Sequence, residues 1–154
     1  MSGGTATYDE QDLIRDTRVL NKGFGPYMKV RCTNLQDALG RPVIYTRRLT
    51  VGQIYHVLSI IQDVHKRWLL RIEGDGTDGV ALFQLEQFEI MSSDLPATWV
   101  VGWRGSSFEL APEAWQRQGF WERYYEGETE AIAIFEKEKQ RILKSDVSAN
   151  NSVH

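Results

Sequence analysis

The sequence predicts an α+β fold in which a strand-rich part is followed by a hairpin and helices. Residues 49–91 contain four short runs of β-branched and aromatic side chains, separated by polar or glycine-rich breaks, as expected of antiparallel strands joined by turns. Residues 98–110 repeat this pattern around a short polar turn. Residues 129–144 instead place apolar side chains mostly on one helical face, which is typical of an amphipathic helix.

In the first third of the chain, the predicted structure changes at residue 28 from an N-terminal arm to strands. Residues 1–27 predict an N-terminal arm that is partly disordered or forms one short helix near residues 9–20. Residues 28–32 alternate apolar and basic side chains, which indicates a half-buried strand. Residues 35–42 read as a loop, and residues 43–45 predict one further short strand. Together these elements and the runs up to residue 91 predict a small twisted sheet.

The last third contains the hairpin and the helices. Residues 92–96 predict a linker, and residues 98–110 a β-hairpin. Pro112 and Glu113 favour the first turn of a helix, because proline has no amide hydrogen to leave unpaired and glutamate suits the helix dipole. We expect the hairpin and helices, residues 98–144, to pack on the preceding strands, and residues 145–154 to form a disordered tail.

Composition and charge restrict the classes of function. The chain has 154 residues, 42% apolar and 25% charged, with a net charge of −3, so a single globular domain without a broad basic surface is expected and nucleic-acid binding is disfavoured. The single cysteine, Cys32, predicts a reducing, cytoplasmic environment. No run of about 18 apolar residues and no signal-peptide pattern is present, so no membrane association is expected.

Candidate catalytic and metal-binding residues are few. His56, His65 and Cys32 are far apart in sequence and lack the spacing of a metal site. Residues 74–79 superficially resemble a calcium loop, but glycines occupy the alternate positions and a hairpin turn is favoured. We therefore predict no catalytic residue, no metal and no cofactor, while a small hydrolase using Cys32 or a glutamate stays as one alternative.

A first resemblance concerns residues 28–91. The run Leu-Thr-Val-Gly-Gln-Ile-Tyr-His-Val at residues 49–57 resembles the L-T-x-G-K-x-Y-x-V run of small SH3-like barrel domains in bacterial and phage proteins. Residues 68–73, the Asp75-Gly76 turn and residues 83–90 follow in the same order. Gln53 stands where lysine is usual, and the connection at 35–48 is longer. The resemblance implies an SH3-like small β-barrel.

A second resemblance concerns residues 98–143. The segments Leu-Ala-Pro-Glu-Ala-Trp at 110–115 and Gly-Phe-Trp-Glu-Arg-Tyr-Tyr-Glu-Gly at 119–127, with Ala131 and Phe135, are similar to the C-terminal signature of small bacterial immunity proteins of secreted toxins. Such proteins are non-enzymatic and block the toxin's active site or an essential surface. The resemblance therefore implies a cognate toxin domain as the protein partner.

These observations predict a non-enzymatic binding protein, an immunity protein that occludes a toxin active site. Its interface would combine aromatic anchors with an acidic rim that complements a basic partner. The candidate partner-binding residues are Trp68, Asp75, Asp78, Trp103, Trp121, Glu122, Tyr125, Glu126 and Glu128. The alternative is an SH3-like adaptor that binds nucleic acid or peptide through Arg47, Arg48, Lys66, Arg67 and Trp68. The oligomeric state is left open.

Overall fold

The computed structural model describes residues 27–152, with side chains described up to residue 144. The predicted arm at residues 1–27 therefore lies outside the described residues, except for Tyr27. The described chain has a mixed α+β fold: two antiparallel sheets are followed by two helices. This agrees with the fold class that the strand runs and the amphipathic C-terminal segment predict.

The elements follow one another with short connections, apart from the long loop between the first two strands. The strands are β1 (Lys29–Cys32), β2 (Ile54–His56), β3 (Ser59–Gln62), β4 (Trp68–Glu73), β5 (Val80–Gln84), β6 (Phe88–Ser92), β7 (Trp99–Arg104) and β8 (Ser107–Pro112). Two 3-10 helices lie at Leu85–Gln87 and Glu113–Gln116, and the α-helices are α1 (Phe120–Tyr125) and α2 (Thr129–Ser152).

The two sheets share one continuous segment of chain. The smaller sheet has the strand order β2-β1-β6, and the larger has the order β5-β4-β3-β8-β7. Only Val57 and Leu58, both buried, separate β2 from β3. The predicted hairpin is β7 and β8, and β8 pairs with β3 through Ile60↔Leu110. The hairpin thus extends the larger sheet at its edge by hydrogen bonding.

The core forms one cluster between the sheets and under the helices. Leu70 and Ile72 of β4 are fully buried, and Arg71 between them points to the opposite face of the strand. On that opposite face lie α1, α2 and the second 3-10 helix, which bury Trp115, Phe120 and Phe135. The larger sheet is therefore covered on both faces near β4, as a sheet within a layered domain must be.

Two predicted boundaries differ from the structure. Residues 43–45 form no strand, and Ile44 is 100% exposed. Just before them, Gln36 and Pro42 form an isolated bridge, and the Val43 amide donates to the Leu35 carbonyl at 3.1 Å. Helix α2 continues to Ser152, past the predicted end at Lys144. Residues 145–152 contain neither glycine nor proline, so nothing in their sequence stops a helix that has already begun.

Two loops use the same turn. Asp37 accepts hydrogen bonds from the amides of Leu39 and Arg41 and pairs with the Arg41 guanidinium at 2.8 Å. Asp63 makes the same three contacts with His65 and Arg67, again at 2.8 Å to the guanidinium. The shared Asp-x-x-x-Arg pattern therefore forms two local clamps, one in the long loop and one between β3 and β4.

Within residues 27–152, the length and polarity of every helix rule out its spanning a membrane.

Candidate protein-interaction surface

Three aromatic side chains lie side by side across the larger sheet. The strand register aligns Trp68 of β4 with Gln62 of β3, Gln62 with Phe108 of β8, and Phe108 with Trp103 of β7. Cross-strand partners share a face of the sheet. The ring centroids of Trp68 and Phe108 are 6.3 Å apart, and those of Phe108 and Trp103 are 5.0 Å apart. We call Trp68, Phe108 and Trp103 the aromatic row.

The aromatic row faces solvent. Trp103 is 70% exposed and Trp68 is 39% exposed, whereas Phe108 between them is half-buried. The next aligned residues on the same face are Ile60 and Leu110, both half-buried, and Val101, which is 56% exposed. A contiguous exposed apolar surface of this kind marks an interaction site more often than isolated apolar residues do.

Close packing on the reverse face fixes the position of β7. A Cβ added at Gly102 would lie 1.6 Å from the Gln116 side-chain oxygen, so a larger residue there would displace the Gln116 side chain. The Gln116 amide nitrogen donates to the carbonyls of Val100 and Ala111, each at 2.9 Å. The Arg104 guanidinium also donates to the Gln116 carbonyl. These contacts make the strand that carries Trp103 a rigid platform.

The predicted anchor Trp121 belongs to the core beneath the helices and not to the aromatic row. Its ring packs against Trp115, Tyr124 and Phe135 at centroid distances of 5.6, 5.3 and 6.0 Å. The Arg71 guanidinium lies 3.7 Å from the centroid of the Trp121 ring. Because Arg71 and Trp68 are three residues apart on β4, they point to opposite faces of the sheet.

Tyr125, another predicted anchor, attaches α1 to the sheet. Its hydroxyl donates a 2.6 Å hydrogen bond to the Val80 carbonyl of β5, while the side chain is still 55% exposed. Tyr125 therefore has a structural contact of its own, and its exposed edge lies on the helical side of the molecule.

The predicted acidic residues of the 74–79 turn are already engaged within the chain. Asp75 accepts hydrogen bonds from the hydroxyls of Thr50 and Tyr55, at 2.6 and 2.9 Å. Asp78 pairs with Arg47 at 2.9 Å and with Arg48 at 3.7 Å. Both carboxylates hold the long loop against the β4–β5 turn. This internal role argues against the prediction that they form an acidic rim for a partner.

The three predicted glutamates lie on the other side of the sheet from the aromatic row. Glu122 and Glu126 are exposed on α1 or at its end, and Glu128 follows in the next turn with its carboxylate 3.9 Å from Arg123. Since α1 covers the face that carries Arg71, these charges cannot border the aromatic row. The structure thus brings Trp68 and Trp103 together and separates them from the predicted acidic residues.

The alternative basic strip is largely neutralised within the chain. Arg47 and Arg48 pair with Asp78, and Arg67 pairs with Asp63 at 2.8 Å. These contacts reduce the positive potential that a phosphate backbone would need. Trp68 is next to Arg67 in sequence, but its ring packs towards Phe108.

Two charged side chains, Arg71 and Glu109, lie on the helix-covered face of the larger sheet. Arg71 is 5% exposed and donates to the Ser59 hydroxyl at 3.2 Å. Burial lowers the pKa of Arg71, and nearby Glu109 partly opposes that change. Burial raises the pKa of the Glu109 carboxyl above its ordinary value, although the charges of Arg71 and Arg104 act in the other direction. Both groups lie on the helix-covered face and do not line the aromatic row.

The groups considered for catalysis are dispersed. Cys32 is buried, its thiol donates to the Asn34 carbonyl at 3.5 Å, and burial raises its pKa. A cleft of about 340 Å³ includes His56, Tyr55 and Glu73, but the Glu73 carboxylate already binds Lys139 at 3.0 Å. Among the side chains that the structure describes, residues 27–144, no three His, Cys, Asp or Glu lie close enough to hold a metal ion.

Sequence reasoning identified two members of the aromatic row and missed the third as a site residue. Phe108 and Val101 were assigned only to the hairpin. The sequence does contain a signal for them: Gly102 lies between Val101 and Trp103, and Glu109 follows Phe108. Because side chains alternate along a strand, this pattern predicts which hairpin residues share a face. The pairing of β8 with β3, which brings Trp68 beside Phe108, has no local signal because 46 residues separate Gln62 from Phe108.

Comparison of the chain with protein-family models, with curated proteins and with solved structures yields no match.

Proposed function

We propose that this chain is a non-enzymatic protein-binding domain and that the aromatic row is its partner-binding surface. The observation that carries the proposal is the alignment of Trp68, Phe108 and Trp103 on a solvent-facing side of the larger sheet. Tryptophan is enriched among residues that dominate binding energy, because one side chain buries a large area with few rotatable bonds.

The rigidity of the platform supports this role. The aromatic row is built on four hydrogen-bonded strands, and the reverse face of β7 is closed by Gln116. A preorganised surface loses little conformational entropy on association, so more of the contact energy appears as affinity. A surface of the same composition on a flexible loop would bind less tightly.

The resemblance of residues 98–143 suggests a more specific form of the proposal. The partner would be the toxic domain of a secreted bacterial protein, and the chain would act in the cytoplasm as its immunity protein by occluding the active site. The aromatic row would supply the contact. Glu122 and Glu126, exposed on the helical side, would contribute through long-range attraction of a basic partner during encounter.

We also infer that β1–β6 form an SH3-like barrel. Support comes from the strand order, in which the continuous segment 54–62 contributes to both sheets, and from the 3-10 helix at Leu85–Gln87 directly before β6. The hairpin β7–β8 would then be an addition that lengthens one barrel sheet and creates the surface on which Phe108 and Trp103 lie.

Binding by the aromatic row is tested by comparing partner capture between variants. The purified full chain and Trp68→Ser are immobilised, and binding is measured against the protein encoded by the neighbouring reading frame. We expect Trp68→Ser to weaken binding by about 2 kcal/mol or more, as for an interface hot spot. Tyr45→Ser is the matched control, because Tyr45 is 76% exposed and lies in the long loop, outside the row.

Equal binding by Trp68→Ser and the wild type would reject the aromatic row as the interface. Loss of binding in Tyr45→Ser alone would move the interface to the long loop. Protection of cells that express the toxic domain tests the immunity role separately, since a binding protein without that role gives capture but no protection. Salt-dependent affinity for DNA or RNA would instead favour the adaptor alternative.

A further inference from the structure

Strand β7 forms an open edge of the larger sheet. It is the last strand in the order β5-β4-β3-β8-β7, and no strand within residues 27–152 pairs with its outer side. Val100, Val101 and Trp103 on it are 44%, 56% and 70% exposed. Soluble proteins usually protect an edge with lysine, proline or a bulge. Five of the six residues of β7 are uncharged, its one charge is Arg104 at the turn end, and it contains no proline and no bulge. Such an edge is suited to pairing with another strand.

The hairpin geometry identifies which backbone groups of β7 point outward. Gly105, first of the two turn residues, has φ +60°, which matches a type II′ turn. The residues that flank such a turn, Arg104 and Ser107, exchange hydrogen bonds, and along an antiparallel pair such residues alternate with residues whose groups point away. The backbone N–H and C=O of Val101 and Trp103 therefore face the open side.

Two observations at the other end of the strand agree with this assignment. Trp99 is opposite Pro112, and proline has no N–H to donate, so this pair cannot exchange two hydrogen bonds. The Trp99 amide instead donates to the Pro96 carbonyl at 3.2 Å. Trp99, Val101 and Trp103 thus share one outward-facing set of backbone groups.

We propose that β7 pairs in antiparallel fashion with β7 of a second copy of this chain, with Gly102 on the two-fold axis. In this register Val101 is opposite Trp103 of the partner subunit, and the reciprocal pair is related by symmetry. The N–H and C=O groups of both residues would be satisfied in each copy. The two larger sheets would join into one continuous sheet with an isologous interface.

Self-complementarity favours a second copy over an unrelated strand. The apolar side chains of Val101 and Trp103 meet across the interface, and aromatic residues paired with β-branched residues stabilise antiparallel strands. Gly102 meets its own copy at the axis, on the face where the Gln116 side chain packs against it. Arg104 is opposite Val100 of the partner subunit, so no like charges are paired directly.

The pairing uses the backbone edge of β7, so Trp103 is the one member of the aromatic row that contacts the second copy. Trp68 and Phe108 stay available on the face of the sheet. The rows of both copies would then lie on one side of the continuous sheet, with Trp68 three strands inward from β7 in each copy. Dimerisation therefore stands independently of the proposed function, although a dimer would present two partner-binding surfaces together.

The first experiment measures the oligomeric state of the full chain by sedimentation equilibrium over a range of concentrations. We expect a dimer that dissociates on dilution, and Val101→Pro should raise the dissociation constant by about tenfold or more, because each copy loses an outward N–H donor. Proline is tolerated at an edge position whose N–H faces solvent. A wild type that stays monomeric throughout would overturn the proposal.

The second experiment tests the register and does not depend on the folding of the proline variant. Val101→Cys and Trp103→Cys proteins are oxidised separately and as a mixture. Residues in a hydrogen-bonded antiparallel pair have Cα atoms about 5.5 Å apart, within disulfide range. We expect intermolecular disulfides in the mixture and few in either variant alone. Equal cross-linking in all three samples would contradict the proposed register.

Discussion

The Arg71 guanidinium stacks on the Trp121 ring at 3.7 Å from its centroid, and this contact joins the larger sheet to α1. Arg71 comes from the middle of β4 and Trp121 from the first turn of α1. A cation placed over an indole ring is stabilised by the ring's electron density, and more strongly when both are removed from water. The helical layer is thus bound to the sheet by a specific contact as well as by apolar packing.

Replacing Trp121 tests this assignment. Trp121→Ala removes the ring that contacts Arg71, Trp115 and Phe135, and we expect it to lower the free energy of unfolding by about 3 kcal/mol or more, as for large core aromatics. Urea denaturation followed by circular dichroism measures the change. Tyr45→Ala, at a side chain that is 76% exposed, should cost no more than about 0.5 kcal/mol. Similar small losses in both variants would show that Trp121 lies at the surface.

The turn at residues 63–67 offers a stabilising substitution. Lys66 has φ +66°, and Gly40 occupies the equivalent position of the matching turn with φ +80°. A left-handed backbone costs a non-glycine residue roughly 1–2 kcal/mol, whereas glycine adds about 0.4–1 kcal/mol of entropy to the unfolded chain. Lys66→Gly should therefore stabilise the protein by about 0.5 kcal/mol, measured as an increased urea midpoint.

Gly40→Ala is the reciprocal control for that substitution. It introduces a Cβ at a positive φ, 3.3 Å from the Gln84 side-chain oxygen, and should lower the urea midpoint. If both substitutions moved the midpoint in the same direction, the two turns would not share a conformation.

The local parts of this fold could be predicted from sequence, and the long-range parts could not. The runs that became β4, β6 and β7 carry strand periodicity within themselves, and α2 carries its apolar face. Val43 to Tyr45 show that β-branched composition alone is insufficient, since a strand also needs a partner. The polar composition of residues 145–152 predicts a helix end near residue 144, but these residues include no helix breaker, and α2 continues through them.

In the candidate site, too, the local features could be predicted from sequence and the long-range contacts could not. Trp68 and Trp103 could be proposed as anchors from composition, but their proximity depends on β8 pairing with β3, which no local pattern encodes. Trp121 could not be assigned to the core because residues 120–125 include both a fully buried ring, Phe120, and a half-exposed one, Tyr125. Two contacts with the sheet, from Trp121 to Arg71 and from Tyr125 to Val80, determine which side of α1 faces it.

The thiol of Cys32 should report global unfolding. Cys32 is 1% exposed at the end of β1, and burial raises its pKa, so the reactive thiolate is scarce at neutral pH. We expect a disulfide exchange reagent to label the native protein only at the rate of unfolding, and the urea-unfolded protein immediately. Rapid labelling without denaturant would mean that β1 opens locally and would contradict the buried position of this thiol.

Glu109 and Asp63 should affect the pH dependence of stability in opposite directions. Burial raises the pKa of Glu109 above its ordinary value of 4.5. The stability linked to this group is therefore fully present below about pH 4.5 and is lost as pH rises through the folded-state pKa. Hydrogen bonds from the Arg67 amide, and then the Arg67 side chain and the His65 amide, lower the pKa of Asp63 from 3.8. Its stabilising contribution is present above that pH and is lost as the pH falls further.

The two linkages are separated by measuring urea unfolding from pH 3 to pH 7, a range of about four units that spans both ordinary pKa values. Relative to the wild type, Glu109→Gln should gain stability progressively above about pH 4.5, because it no longer has a carboxylate to ionise in a buried position. The free energy of unfolding of Asp63→Asn should approach that of the wild type as the pH falls towards 3. The reason is that the wild type then loses the carboxylate charge, which asparagine lacks at every pH. If the free energy of unfolding changed with pH in the same way for Glu109→Gln and the wild type, Glu109 would ionise as easily in the folded chain as in the unfolded one. The charge of Arg71 would then fully offset the burial of Glu109.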